Sequence, residues 1–74
     1  MNRSYELVKH LGVLETNERG AKEVNLISWG GGKAKIDIRC WKKDHTSYSK
    51  GISLHGDEAV KLADIIKEYF GGAK

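Results

Sequence analysis

Trp29 and Trp41 close the two ends of the stretch WGGGKAKIDIRCW, which also carries Lys33, Lys35 and Arg39. These residue types suit one kind of chemistry. Unpaired bases stack on aromatic faces, and cations beside them follow the phosphates. A duplex hides its base faces and asks for a helix or ribbon that enters a groove. The set is therefore expected to favour single-stranded nucleic acid. The competing reading makes both tryptophans core or subunit-interface residues and the lysines ordinary solvated charges.

Other constellations carry less. GGGKA (Gly30–Ala34) is similar to a phosphate-binding loop, but that loop needs Ser or Thr after the lysine and then a helix. Here Ala34 follows Lys33 and a strand pattern follows Ala34. His10, His45, His55 and Cys40 show no paired close spacing, so no metal is expected. Tyr48, Ser53 and Asp57 form no nucleophile arrangement. Neither an enzyme nor a cofactor is expected. Cys40 is the sole cysteine, which excludes a disulfide within the chain. A lone thiol fits a reducing compartment, and alternation makes Cys40 a buried structural thiol.

The elements that must position these residues follow from pattern. YELVKHLGVL (Tyr5–Leu14) reads as a first strand, although helix is compatible with its pattern. ETNERG (Glu15–Gly20) is a loop and AKEVNLISW (Ala21–Trp29) a second strand. Gly30, Gly31 and Gly32 make a tight connection, because glycine takes positive φ without cost. KAKIDIRCW (Lys33–Trp41) alternates strictly, as a strand does. KKDHTS (Lys42–Ser47) is a loop and YSKGISL (Tyr48–Leu54) a fourth strand. HGDEAVKLADIIKEYF (His55–Phe70) is a helix, with Asp57 and Glu58 at its positive end and Gly71 and Gly72 as its stop. Ala73 and Lys74 are a frayed tail. The order predicts an α+β fold, a four-stranded antiparallel meander with the helix covering one face.

Alternation then assigns faces. Ala34, Ile36, Ile38 and Cys40 point to the core; Lys33, Lys35, Asp37, Arg39 and Trp41 point away from it. In the second strand Val24 and Leu26 oppose Glu23, Asn25, Ile27 and Trp29. On the helix, Ala59, Leu62, Ala63, Ile66, Tyr69 and Phe70 form a stripe, and Val60 and Ile65 widen the apolar arc to roughly 220°. One sheet face cannot cover that arc; a second copy can. The dimer interface is placed at Leu62, Ile66, Tyr69 and Phe70.

The chain has 74 residues, room for one domain. Such a domain is marginal alone. No apolar run approaches a membrane span, no leader pattern opens the chain, and a cytoplasmic setting is expected, with nucleoid association compatible. Net charge is +3. Residues 29–50 carry six positive and two negative side chains, and residues 57–68 carry two and four. One part of the chain is built to meet an anion and the other is not.

KIDIRCW (Lys35–Trp41), then KGISL (Lys50–Leu54), then a single terminal helix resembles the positive-cofactor-four family of transcriptional coactivator and single-stranded-DNA-binding domains. KEVNLISW (Lys22–Trp29) and DHTSYSKGISL (Asp44–Leu54) look closest to its small bacterial YdbC-type members. The resemblance runs from about Tyr5 to Phe70. It implies a curved four-stranded antiparallel sheet, one C-terminal helix, and a homodimer whose helices pair while the sheets form grooves for single-stranded DNA. It places Trp29, Lys33, Lys35, Arg39, Trp41 and Lys50 in the groove, with Lys43 in an abbreviated loop beside it. Lys50 reaches the groove if Gly51 introduces a bulge. No Ser-rich acidic extension is present, so a eukaryotic coactivator role does not follow.

The expected function is non-enzymatic, largely sequence-independent single-stranded DNA binding in replication, repair, recombination or transcription. RNA is the alternative ligand, and a protein-interaction dimer without nucleic acid the alternative class.

Overall fold

Four β-rich segments pair in chain order and a helix follows them. The computed structural model describes residues 4–71. It contains β1 (Tyr5–Thr16), β2 (Gly20–Trp29), β3 (Lys35–Lys42), β4 (Ile52–Leu54) and α1 (Gly56–Phe70). The sheet is antiparallel in the order β1-β2-β3-β4. The α+β meander expected from the sequence is therefore the fold. Several element ends differ from expectation: β1 is longer, β3 begins at Lys35 rather than Lys33, and β4 is shorter. The expected stop at Gly72 and the tail at Ala73 and Lys74 lie outside the described residues.

The β2–β3 ladder runs without interruption from Gly20↔Lys42 to Ile27↔Lys35. Its turn uses φ of 58° at Gly30 and 79° at Gly31, values that a Cβ would strain. The Gly32 N–H closes the turn on the Trp29 carbonyl at 3.0 Å.

Pairing between β1 and β2 is different. Its register shifts three times, leaving Val8, Leu11 and Leu14 as extra residues. Each such bulge bends the strand and sharpens its twist. β4 adds a fourth irregularity. Tyr48 bridges Trp41 and Ile52 pairs with Ile38, so three residues on the β4 side face two on β3.

The result is a tightly curled sheet. Trp29 and Trp41 stand at opposite ends of the β2–β3 ladder, on the order of 26 Å apart in a flat sheet. Yet both rings lie against Tyr5, at 5.2 and 5.6 Å, and against Tyr48, at 5.6 and 4.9 Å. The aromatic side chains close the two rims over the concave face.

Curling reverses the expected burial. Alternation separates the faces as predicted, but the enclosed one carries Glu23, Asn25, Ile27, Asp37 and Trp41, all buried. The supposed core face holds Val24, Leu26, Ile36 and Ile38 only half-buried. Cys40 is exposed, not a buried thiol. The helix does not cover that face either. It approaches β3 and β4 but, among the described residues, neither β1 nor β2, and none of its residues is buried. Leu62, Ile66, Tyr69 and Phe70 are all exposed, Tyr69 to 77%.

Candidate nucleic-acid interface

The concave face is organised around a carboxylate. Asp37, on the central strand β3, has no solvent exposure. Arg39 lies two residues on, hence on the same face. It grips Asp37 with two parallel bonds, Nε to Oδ1 at 2.7 Å and Nη2 to Oδ2 at 2.8 Å. Trp29 Nε1 donates to the same carboxylate at 3.2 Å and Ser53 Oγ at 3.0 Å. Four donors offset the cost of burying the charge.

The guanidinium of Arg39 is also held by aromatic rings. Its central carbon lies 4.7 Å from the Trp29 ring centre and 5.4 Å from that of Tyr48, within cation–π range. Its Nη1 donates to the Ser49 carbonyl at 3.3 Å. Gly51 makes this close approach of β4 possible: a Cβ there would stand 2.3 Å from the Ile38 carbonyl oxygen and 2.4 Å from the Arg39 Cβ. Trp29, Arg39, Tyr48 and Ser53 line a pocket of about 290 Å³.

Trp41 sits deeper than the sequence suggested. Only 4% of it is exposed, beneath Tyr5, Tyr48 and His45. It is not an open stacking surface, which corrects the expectation from parity. Its indole N–H is buried and has no hydrogen-bond partner among the described residues. The open rings are instead Trp29 and Tyr48, both half-buried, and Tyr5 at the rim.

A second polar group lies beside Trp41. Glu23 is buried and accepts from Asn25 Nδ2 at 3.1 Å; His45 Nε2 lies 3.0 Å from its other oxygen. Asn25 Oδ1 in turn bonds His10 Nδ1 at 2.6 Å. His45 adopts φ of 58°, a left-handed conformation that a non-glycine residue takes at some cost. Its bond to Glu23 and its tilted contact with the Trp41 ring, 5.5 Å between ring centres, hold it there. Asp44 accepts from the Thr46 hydroxyl at 2.7 Å and the Thr46 N–H at 3.0 Å. Those bonds, the hydroxyl's above all, hold its carboxyl below the ordinary aspartate value and keep the loop closed.

The expected cations are spread along the rims. Lys33, Lys43 and Lys50 are exposed and Lys35 is half-buried on the Asp37 side of β3. Lys33 and Lys35 mark the glycine-turn end. Lys43 marks the opposite end, where its N–H bonds the Arg19 carbonyl. Lys50 sits in the irregularly paired segment before Gly51. Arg39 is spent differently from the lysines, since Asp37 already neutralises it. A larger cavity of about 370 Å³ near the Lys43 end includes Arg19, Lys22, Cys40 and Lys42 in its lining. Among the described residues no three His, Cys, Asp or Glu side chains are placed to hold a metal, and no helix is long and apolar enough to cross a membrane.

Sequence reasoning missed Tyr5 and Tyr48. Unbroken alternation gives Tyr48 the parity of Ile52 and Leu54. The extra residue before Ile52 turns Tyr48 to the Trp41 side, and Gly51 was the only signal of it.

No family model matches the chain. An uncharacterized protein of Treponema pallidum (strain Nichols) is 38% identical over 63 residues, spanning 84% of this chain and 74% of that relative.

Proposed function

Since the chain belongs to one family with that uncharacterized Treponema pallidum protein, whose name supplies no activity, we propose a function from its own concave face: non-enzymatic, largely sequence-independent binding of single-stranded DNA by a homodimer. The observation that carries this is the joined set of half-open rings, Tyr5, Trp29 and Tyr48, between lysines on both rims. Stacking on such rings needs unpaired bases, and the lysines answer the phosphates. The helix is a poor candidate for entering a duplex groove, because residues 57–68 carry four acidic and two basic side chains. The resemblance of KIDIRCW and KGISL to single-stranded-DNA-binding domains supports the same reading.

The dimer part rests on surface. The chain exposes 5679 Å², against about 4,600 Å² for a compact monomer of its mass. Its radius of gyration is 13.7 Å, against about 11 Å for a compact chain of this length. Exposed apolar side chains on α1 (Ile65, Ile66, Tyr69, Phe70) and on β1 (Leu7, Val8, Leu11, Leu14) contribute to that surface, and an excess of this order suits one side of a protein interface. Val24, Leu26, Ile36 and Ile38 then meet the partner, with Leu62, Ile66, Tyr69 and Phe70 alongside.

Anisotropy titrations with matched single-stranded DNA, duplex DNA and RNA, at several salt concentrations, test the function. Single-stranded DNA should bind tighter than duplex of equal length. Equal or tighter duplex binding would sink the proposal, and a clear preference for RNA would move it to that ligand.

A further inference from the structure

Asp37 takes part in more hydrogen bonds than any other side chain described on the concave face, four in all, and the groups it binds define a pocket. Arg39, Trp29 and Ser53 all donate to its carboxylate, and all three line the pocket of about 290 Å³ with Tyr48. The side chain of Arg39 is only 12% exposed, so its position is set before any ligand arrives. Such preorganisation removes much of the ordering cost of binding.

A guanidinium carries five N–H donors. Asp37 takes two and the Ser49 carbonyl one; the other two have no protein acceptor among the described residues. Guanine presents two adjacent acceptors, O6 and N7, on one edge. Adenine sets a donor beside N7, and thymine sets a methyl group or an N–H beside O4. Unpaired cytosine does offer adjacent N3 and O2 acceptors, but its smaller ring gives Trp29 and Tyr48 less surface to meet than a purine does. A largely desolvated pair of donors disfavours bases that leave either one unpaired.

We infer that the pocket of Trp29, Arg39, Tyr48 and Ser53 is a subsite for one guanine base, whose O6 and N7 accept from the two remaining Arg39 N–H groups. Trp29 and Tyr48 meet the base's apolar surface. Asp37 is a positioning residue that acts through Arg39 and Trp29. The subsite lies within the proposed single-strand path and rests on that reading. It adds a preferred register to binding that is otherwise tolerant of sequence.

The test is an anisotropy titration of the unaltered protein with a short oligothymidine strand carrying guanine, adenine, cytosine or thymine at one central position. The guanine strand should bind at least about fivefold tighter than the thymine strand. Replacing that guanine by 7-deazaguanine, which lacks the N7 acceptor, should remove most of the advantage. Arg39→Lys, with strand content checked by circular dichroism, keeps the charge but loses the fork and should bind guanine and thymine strands alike. Equal binding of the two strands by the unaltered protein overturns the subsite and leaves single-strand binding standing. So does an undiminished advantage with 7-deazaguanine, or a folded Arg39→Lys that keeps the preference. Failure to bind any strand overturns both. The deazaguanine arm needs no variant, so it decides even where Arg39→Lys does not fold.

Discussion

Removing Trp41 and removing Trp29 are expected to do different damage. Trp41 is a closed part of the concave face, and deleting a buried ring costs about 3–5 kcal/mol of stability. Trp41→Ala should lose that much in urea denaturation, and any binding defect would follow from unfolding. Trp41→Phe should be far milder, since it also deletes the N–H that lacks a partner among the described residues, a group whose burial costs about 1–3 kcal/mol. Trp29→Ala leaves the sheet able to fold. It should weaken single-strand binding by about 1–3 kcal/mol with the salt dependence unchanged. A Trp41→Ala protein as stable as its parent contradicts the burial; a folded Trp29→Ala with undiminished affinity contradicts the stacking. The sequence distinguished these residues poorly for a physical reason. Alternation puts Lys35, Asp37, Arg39 and Trp41 on one face, as found, but says nothing of which face closes. Closure depends on Tyr5 reaching Trp41 from the edge strand, a meeting of residues far apart in the chain that no local pattern encodes.

At the scale of the element, the helix was legible and its surroundings were not. The apolar stripe, the acidic first turn and Gly71 fix α1 almost to the residue, and Glu58 bonds back to the His55 N–H at 2.8 Å. These are local signals. What a helix packs against is a tertiary matter, and here the sheet curls away from it. Ile66 and Phe70 are exposed in the single chain, so Ile66→Asp or Phe70→Asp should leave the strands intact. Either should shift sedimentation from dimer to monomer at micromolar concentration while strand content persists by circular dichroism. A parent that sediments as a monomer, or a dimer indifferent to both changes, would refute the proposed interface. β1 was half legible. Its Val8, Leu11 and Leu14 recur every third residue, a spacing compatible with helix, and the same spacing is that of its three bulges.

For the whole molecule, the charges should be felt collectively. Lys33 and Lys35 stand at the glycine-turn end and Lys43 at the other, with Lys50 in the irregularly paired segment beside β4. Replacing any one by alanine should weaken binding to all single strands alike. It should also flatten the plot of log affinity against log salt by about 0.7 for each phosphate no longer neutralised. An unchanged slope in all four variants would remove the phosphates from the rims. A long strand at the border of a sheet would ordinarily recruit strands from other molecules, because its outer N–H and C=O groups form a ready template. β1 occupies that border, and its three extra residues interrupt the row too often for an incoming strand to keep step. Growth of the sheet from molecule to molecule is blocked on that side. In the proposed dimer, copies would instead join by their apolar faces, and an interface of one patch with its own copy is complete at two subunits and does not propagate into fibres.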